Sequence, residues 1–303
     1  MVDYFLFASS VLLWGTTWLA IKLHLGPVAP VLSVGYRFGL AAVILFLFCL
    51  LTRKRLRFSG RNHFFLALQG AVMFSLSYCL AYFASQRLTS GLVAVIFSTM
   101  LMWSILNLRL FLRQPVRWLA FCGGVFGLAG ICLIFWPDLK TFSASGSIYG
   151  LLLGMASTYL ASVGNVIAAR NSSAGIPVTQ ANAFGMAYGS ALTFIFWFVA
   201  GGQIEFSWSA AYVLPLFYLS FFGSVLGFGC FIALIARIGA DRASYVLLLT
   251  PIMALAMSTL FEGYEWTLLA ALGVVTVLFG NILILIPAPV LQRLVPERFG
   301  RSS

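Results

Sequence analysis

The chain has 303 residues, 62% of them hydrophobic and 8% charged, with a formal net charge of +11. Soluble domains run near 45–50% apolar and about 25% charged, so a water-soluble enzyme or nucleic-acid binder is excluded and lipid is the expected solvent. The positive residues fall in short gaps between apolar runs, as in loops facing an anionic leaflet, and not in a patch that would grip nucleic acid.

A helix needs about 20 apolar residues to cross about 30 Å of hydrocarbon. On that measure ten spans are predicted: 4–22, 30–51, 63–84, 91–112 and 117–136, then 147–169, 179–200, 212–235, 243–261 and 266–287. The runs are continuously apolar and too long for barrel strands, so an all-α integral membrane protein is expected. The first run has no basic start and no small-residue cleavage site, and is read as a retained helix. Gly and Pro mark several gaps, among them Gly26, Pro27, Pro30, Pro115, Pro137, Gly201 and Gly202.

The polar stretch Trp136 to Gly146 divides the chain into two blocks that resemble each other at an offset of 150. Gly35 and Gly39 match Gly185 and Gly189, Phe46 and Phe48 match Phe196 and Phe198, and Pro27 matches Pro177. Gly123 matches Gly273, and Gly130 matches Gly280. We read a duplication, with units at 1–137 and 147–287 and a cytoplasmic tail at 288–303. Five spans per unit is an odd number, so the second copy is inverted in the membrane. Ten helices in two inverted five-helix repeats is the arrangement of carriers that work by alternating access, with the substrate held near the midplane.

Orientation follows from the basic residues. The gap after span two holds Arg53, Lys54, Arg55, Arg57 and Arg61, and the same side collects Arg109, Arg113, Arg117, Arg170, Arg237, Arg242, Arg293, Arg298 and Arg301. Lys22, Arg87 and Lys140 fall on the other side, and Arg37 lies inside span two. Both termini are therefore expected in the cytoplasm, in a multi-pass protein of the cytoplasmic (inner) membrane.

Within the spans, polar side chains carry the most information because lipid penalises them. Trp14, Thr16, Thr17 and Trp18 lie in span one; Tyr78, Tyr82 and Ser85 share a face of span three, and Thr99, Trp103 and Asn107 a face of span four. Span six adds Ser157, Thr158, Tyr159, Ser162 and Asn165, span eight Ser224, and span nine Thr250. From these, Trp14, Thr17, Tyr78, Tyr82, Thr99, Trp103, Tyr159, Ser162, Asn165, Ser224 and Thr250 are the candidate substrate contacts, with interhelical hydrogen bonding as the alternative use of each. Pro251 removes a backbone donor in span nine, so a kink and a gating hinge are expected there. The GxxxG pairs Gly35/Gly39, Gly123/Gly127, Gly150/Gly154, Gly185/Gly189 and Gly223/Gly227 are read as close packing within the bundle. A monomer is expected to suffice, with a dimer through such a motif as the alternative.

Charge and metal chemistry are sparse. Every Asp and Glu lies at a span end or in a gap, so no buried carboxyl is offered for proton coupling. Arg37 and Lys22 are expected either to snorkel to the interface, the favoured reading, or to bind an anionic group. The cysteines at 49, 79, 122, 132 and 230 form no CxxC pair and read as packing residues. His24 and His63 fall at opposite faces, so no metal, cofactor or catalytic cluster is expected.

The residues WGTTWLAIK at Trp14 to Lys22, YRF at Tyr36 to Phe38, the Thr250-Pro251 step and LFEGYEW at Leu260 to Trp266 resemble the drug/metabolite transporter superfamily, specifically its ten-helix EamA-type exporters. The likeness covers about 4–287 and implies a two-repeat exporter of small metabolites. Within that group the aromatic-rich faces look most like bacterial exporters of aromatic and other neutral amino acids, and a multidrug exporter of lipophilic cations is the alternative. One departure stands out. Many members carry a Pro late in span four and a Glu just after it, where this chain has Met100, Leu101, Leu110 and Phe111. Only the second half keeps both, which implies that the halves hinge unequally.

Overall fold

The computed structural model describes residues 1–113, 118–136 and 146–285. The connecting stretch expected to hinge the halves, apart from Trp136 and Gly146, and the tail at 288–303 lie outside them, as do Pro115, Arg117, Lys140 and the last three arginines. The described residues are helical, without strands. Eight helices are long and apolar enough to cross a membrane: α1 (Val2–His24), α2 (Pro30–Leu51), α3 (Gly60–Ser85), α4 (Ser90–Phe111), α6 (Gly146–Ser173), α7 (Val178–Val199), α8 (Ala210–Ile238) and α10 (Leu268–Leu285). Two shorter apolar helices, α5 (Trp118–Ile134) and α9 (Tyr245–Phe261), complete the set. The predicted spans agree with these within a few residues.

Local chemistry sets the ends. Pro30 opens α2 at a position where its missing N–H is not needed. The Ser59 hydroxyl accepts from the Asn62 N–H at the start of α3. After α7 the chain turns at Gly201, whose φ of 80° favours glycine. Phe48, Phe196 and Phe198 are exposed on the outside, the setting that lipid gives an aromatic ring.

The two halves interlock. α1 packs on α8 and α9, and its counterpart α6 packs on α3 and α4; α2 meets α8 as α7 meets α3. The remaining large contacts, α2 with α7, α4 with α9 and α5 with α10, join each helix to its own counterpart. A pseudo-twofold axis between the repeats accounts for this pairing. In lipid no hydrophobic force draws helices together, so close approach through small residues must do so. A methyl on Gly123 would collide with the Gly280 carbonyl, and one on Gly130 with the Gly273 carbonyl. These are the glycines that repeat at an offset of 150, and they pair across the axis.

The GxxxG pairs of α2 and α7 likewise face inward, Gly35 and Gly39 against Phe194 and Ser190, Gly185 and Gly189 against Phe74 and Gly70. Both third helices relax to a π-helical stretch at the same place, Gly70–Ser77 in α3 and Tyr218–Leu226 in α8. The fourth helices differ. α4 is interrupted at Thr99, where the N–H and the hydroxyl both bond the Ile96 carbonyl, at 3.1 and 2.7 Å. α9 runs unbroken through Pro251. The discontinuity thus falls in the half that lacks the proline, because a threonine hydroxyl can replace the next N–H on a carbonyl and free the backbone to turn.

Candidate substrate cavity

A cavity of about 250 Å³ lies at the junction of the repeats, bordered by α1, α2, α3, α4, α6, α8 and α9. Trp14, Thr17 and Trp18 come from the middle of α1, Tyr78 and Met73 from α3, and Arg37 from α2. Phe97, Ser98 and Met100 flank the break in α4, and Asn165 projects from α6. Phe228, Phe231, Thr250 and Pro251 close the far wall. Glycine makes room for two of these side chains: Gly227 sits against the Trp14 indole and Gly223 against the Thr17 hydroxyl. The Gly223/Gly227 pair therefore seats side chains of α1 that border the cavity, beyond its role in drawing helices together.

The walls are mainly aromatic, with Trp18 and Phe97 in ring contact at 4.9 Å and Trp14 against Phe228 and Phe231 at 5.4 and 4.8 Å. Hydroxyls and an amide supply the polar points. Thr17 and Thr250 each spend their hydrogen on a carbonyl one turn back, Leu13 at 2.6 Å and Val246 at 2.8 Å, which leaves their oxygens as acceptors. The Asn165 amide reaches Ser104 at 3.4 Å and the Met100 sulfur at 3.5 Å. Such contacts are soft enough to exchange for a ligand.

Five of the eleven predicted contacts, Trp14, Thr17, Tyr78, Asn165 and Thr250, line this cavity together with Pro251. The other six do not. Tyr82 is fully buried, its hydroxyl 3.1 Å from His24 Nδ1. Thr99 forms the break in α4. Trp103 meets the edge of Tyr159 at 5.5 Å, and Tyr159 is partly exposed. Ser162 accepts from the Asn107 amide at 2.7 Å, and Ser224 donates to the Leu219 carbonyl five residues back, at 3.0 Å, inside the π-helical stretch. Trp18, Phe97, Phe228 and Arg37 join the lining without having been among the candidates. Among the described residues no group of His, Cys, Asp and Glu is placed to hold a metal ion.

The two ends of the cavity are held differently. Away from the face where α1 begins, Lys22 donates to the Ser85 and Leu88 carbonyls at 2.7 and 3.0 Å, which ties α1 to the end of α3. There too, the Glu262 carboxylate at the end of α9 accepts from the Ser90 N–H at 2.9 and 3.1 Å and from its hydroxyl, which caps α4. At the face where α1 begins, Asp3 pairs with Arg237 of α8, and α3 is joined to α6 through Asn171 and Gln69, 2.9 Å apart. The lining extends toward this second face through Leu101, Phe231 and Leu247.

Known proteins share this architecture. The model of the EamA-like transporter family matches the chain twice, over residues 1–136 and 148–286. Protein PagO of Salmonella typhimurium is 26% identical over 282 residues, 93% of this chain and 92% of that one. The uncharacterized inner membrane transporter YedA of Escherichia coli is 26% identical over 93% of both chains, and the uncharacterized transporter YoaV of Bacillus subtilis 24% identical over 90% and 92%. A protein crystal structure superposes with a TM-score of 0.67 at 16% identity, covering 96% of this chain and 98% of that one, a likeness of fold. A multi-pass helical chain whose two halves both match one family model belongs to the EamA-like transporter family, within the drug/metabolite transporter superfamily.

Proposed function

We propose that this membrane transporter exports small amphipathic metabolites, aromatic and other neutral amino acids foremost, from the cytoplasm by alternating access at the junction of its repeats. In this reading it works as a monomer in the cytoplasmic membrane with both termini inside. The observation that carries the reading is the cavity between the halves, with aromatic walls formed by Trp14, Trp18, Phe97 and Phe228 and acceptor oxygens from Thr17 and Thr250. Aromatic surface buries an apolar side chain while a few fixed polar groups orient its charged end. Pro251 adds one more acceptor, because it leaves the Leu247 carbonyl beside the cavity without its usual donor.

The test is flux in proteoliposomes. Phenylalanine is expected to move faster than a quaternary ammonium dye, and Tyr78→Ala to lower phenylalanine flux about tenfold or more with folded protein unchanged. Normal flux in the Tyr78 variant would take that residue out of the site, and dye transport without phenylalanine transport would replace the amino acid reading with a multidrug one.

A further inference from the structure

Arg37 borders the cavity with two of its three guanidinium nitrogens left without a partner. It is the eighth residue of α2 and only 1% exposed, so it does not snorkel to an interface as the sequence favoured. Its Nε and Nη1 atoms have no acceptor. Around the guanidinium are the rings of Tyr78 and Phe38, 4.7 and 5.0 Å away, Gly223 of α8, and the Tyr82 hydroxyl, which interacts with it. Among the described residues no carboxylate pairs with it, and in the sequence all seven acidic residues fall at span ends or in gaps. A guanidinium does not lose its proton, and a charge held at membrane depth without a counter-ion is costly.

The position is also not inherited from the packing scheme. Its mate in the second repeat is Ala187, although the glycines on either side, Gly35 and Gly39, do repeat. A charge absent from the duplicated scaffold, buried and bordering the cavity, has the placement of a ligand contact.

We propose that Arg37 is the anion anchor of the cavity and that the substrate is an amphipathic monocarboxylate. The two carboxylate oxygens meet the guanidinium, and the apolar body lies along Trp14, Trp18 and Phe97. One fixed positive charge among aromatic walls suits a single carboxylate; a phosphate dianion would need more cations, and a lipophilic cation would be repelled. The assignment of this group to a transported solute rests on the transport reading above, whereas the anion site stands on its own geometry.

The experiment compares 3-phenylpropionate with 3-phenylpropionamide, and phenylalanine with phenylalaninamide, by thermal shift on detergent-purified protein and by flux in liposomes. Wild type is expected to bind each carboxylate at least about tenfold more tightly than its amide. Arg37→Met should lose that preference and, relieved of an unpaired buried charge, melt no lower than wild type, an outcome that a merely structural arginine would not give. Arg37→Lys, which keeps the charge but not the fork, should retain part of the preference and provides the comparison if the methionine variant does not fold. Equal binding of acid and amide by wild type, or an undiminished preference in Arg37→Met or in Arg37→Lys, would overturn the proposal. Discrimination in binding without flux of any of the four solutes would leave the anion site standing and remove the transport assignment.

Discussion

The pair α5 and α10 and the pair α4 and α9 occupy equivalent places in the duplication, yet one has stayed symmetric and the other has not. Gly123 against Gly280 and Gly130 against Gly273 map onto each other when the halves are exchanged. In α4 and α9, Leu101 stands opposite Pro251 in the alignment and Leu112 opposite Glu262. The lining follows the second pattern: Arg37 corresponds to Ala187, Trp14 to Gly164 and Thr17 to Ile167, with only Tyr78 and Phe228 both aromatic. Symmetry persists where backbones touch, because there a single methyl is too many. It is lost where side chains face open space and can diverge without disturbing the frame.

The comparison is broken most severely at the axis. Gly130→Val places a branched side chain against the Gly273 carbonyl and should cost about 3 kcal/mol or more, seen as loss of folded protein in detergent extracts. Gly127→Ala, where a methyl meets nothing, should change stability by less than about 0.5 kcal/mol. Next comes proline in α4. Leu101→Pro copies the second half into the first turn after the break at Thr99, where free N–H groups tolerate it, and should cost less than about 1 kcal/mol. Leu106→Pro, inside the following segment, should cost about 3 kcal/mol, and thermal melts of the two variants decide whether α4 is interrupted at Thr99.

Glu262→Gln weakens the cap on α4 and should cost about 1–2 kcal/mol. In a background with the five native cysteines replaced, it should also raise the labelling of Ser258→Cys by a water-soluble thiol reagent, because Ser258 is fully buried beside this contact. The smallest effect of removing a polar contact is expected at Ser75 and Thr193, whose hydroxyls meet at 2.6 Å between α3 and α7. The corresponding positions, Val225 and Val43, are apolar, so Thr193→Val should cost only about 0.6 kcal/mol in a denaturation series.

The frame was legible because its signals are long or repeated. An apolar run of membrane length has one reading, and glycines that recur at a fixed offset mark backbone contact before any contact is seen. The site was legible in part. Helical spacing put Tyr78 and Tyr82 on one face, but a face is wide enough for one ring to border the cavity and the other to bond His24. Ser162 could as well meet Asn107 as a ligand, and only the rotation of α6 against α4 decides between them. Arg37 carried a usable signal, a charge between two repeated glycines with no charge at its mate. Long side chains often reach an interface from this depth, and that general tendency outweighed the signal. The π-helical stretches, which pack against helices of the other half, left no mark in the hydropathy.

The contact between Glu262 and Ser90 exists on one side of the cavity only. Exchanging the conformations of the halves would bring positions 112 and 240 together in its place, and these hold leucine and alanine. Charge-assisted hydrogen bonds are worth about 1.5–3 kcal/mol, which tilts two otherwise equal states by roughly ten- to a hundredfold. On the alternating-access reading proposed above, the Glu262–Ser90 contact favours the state shut on that side, and the Asp3–Arg237 pair on the opposite face is the contact it is weighed against.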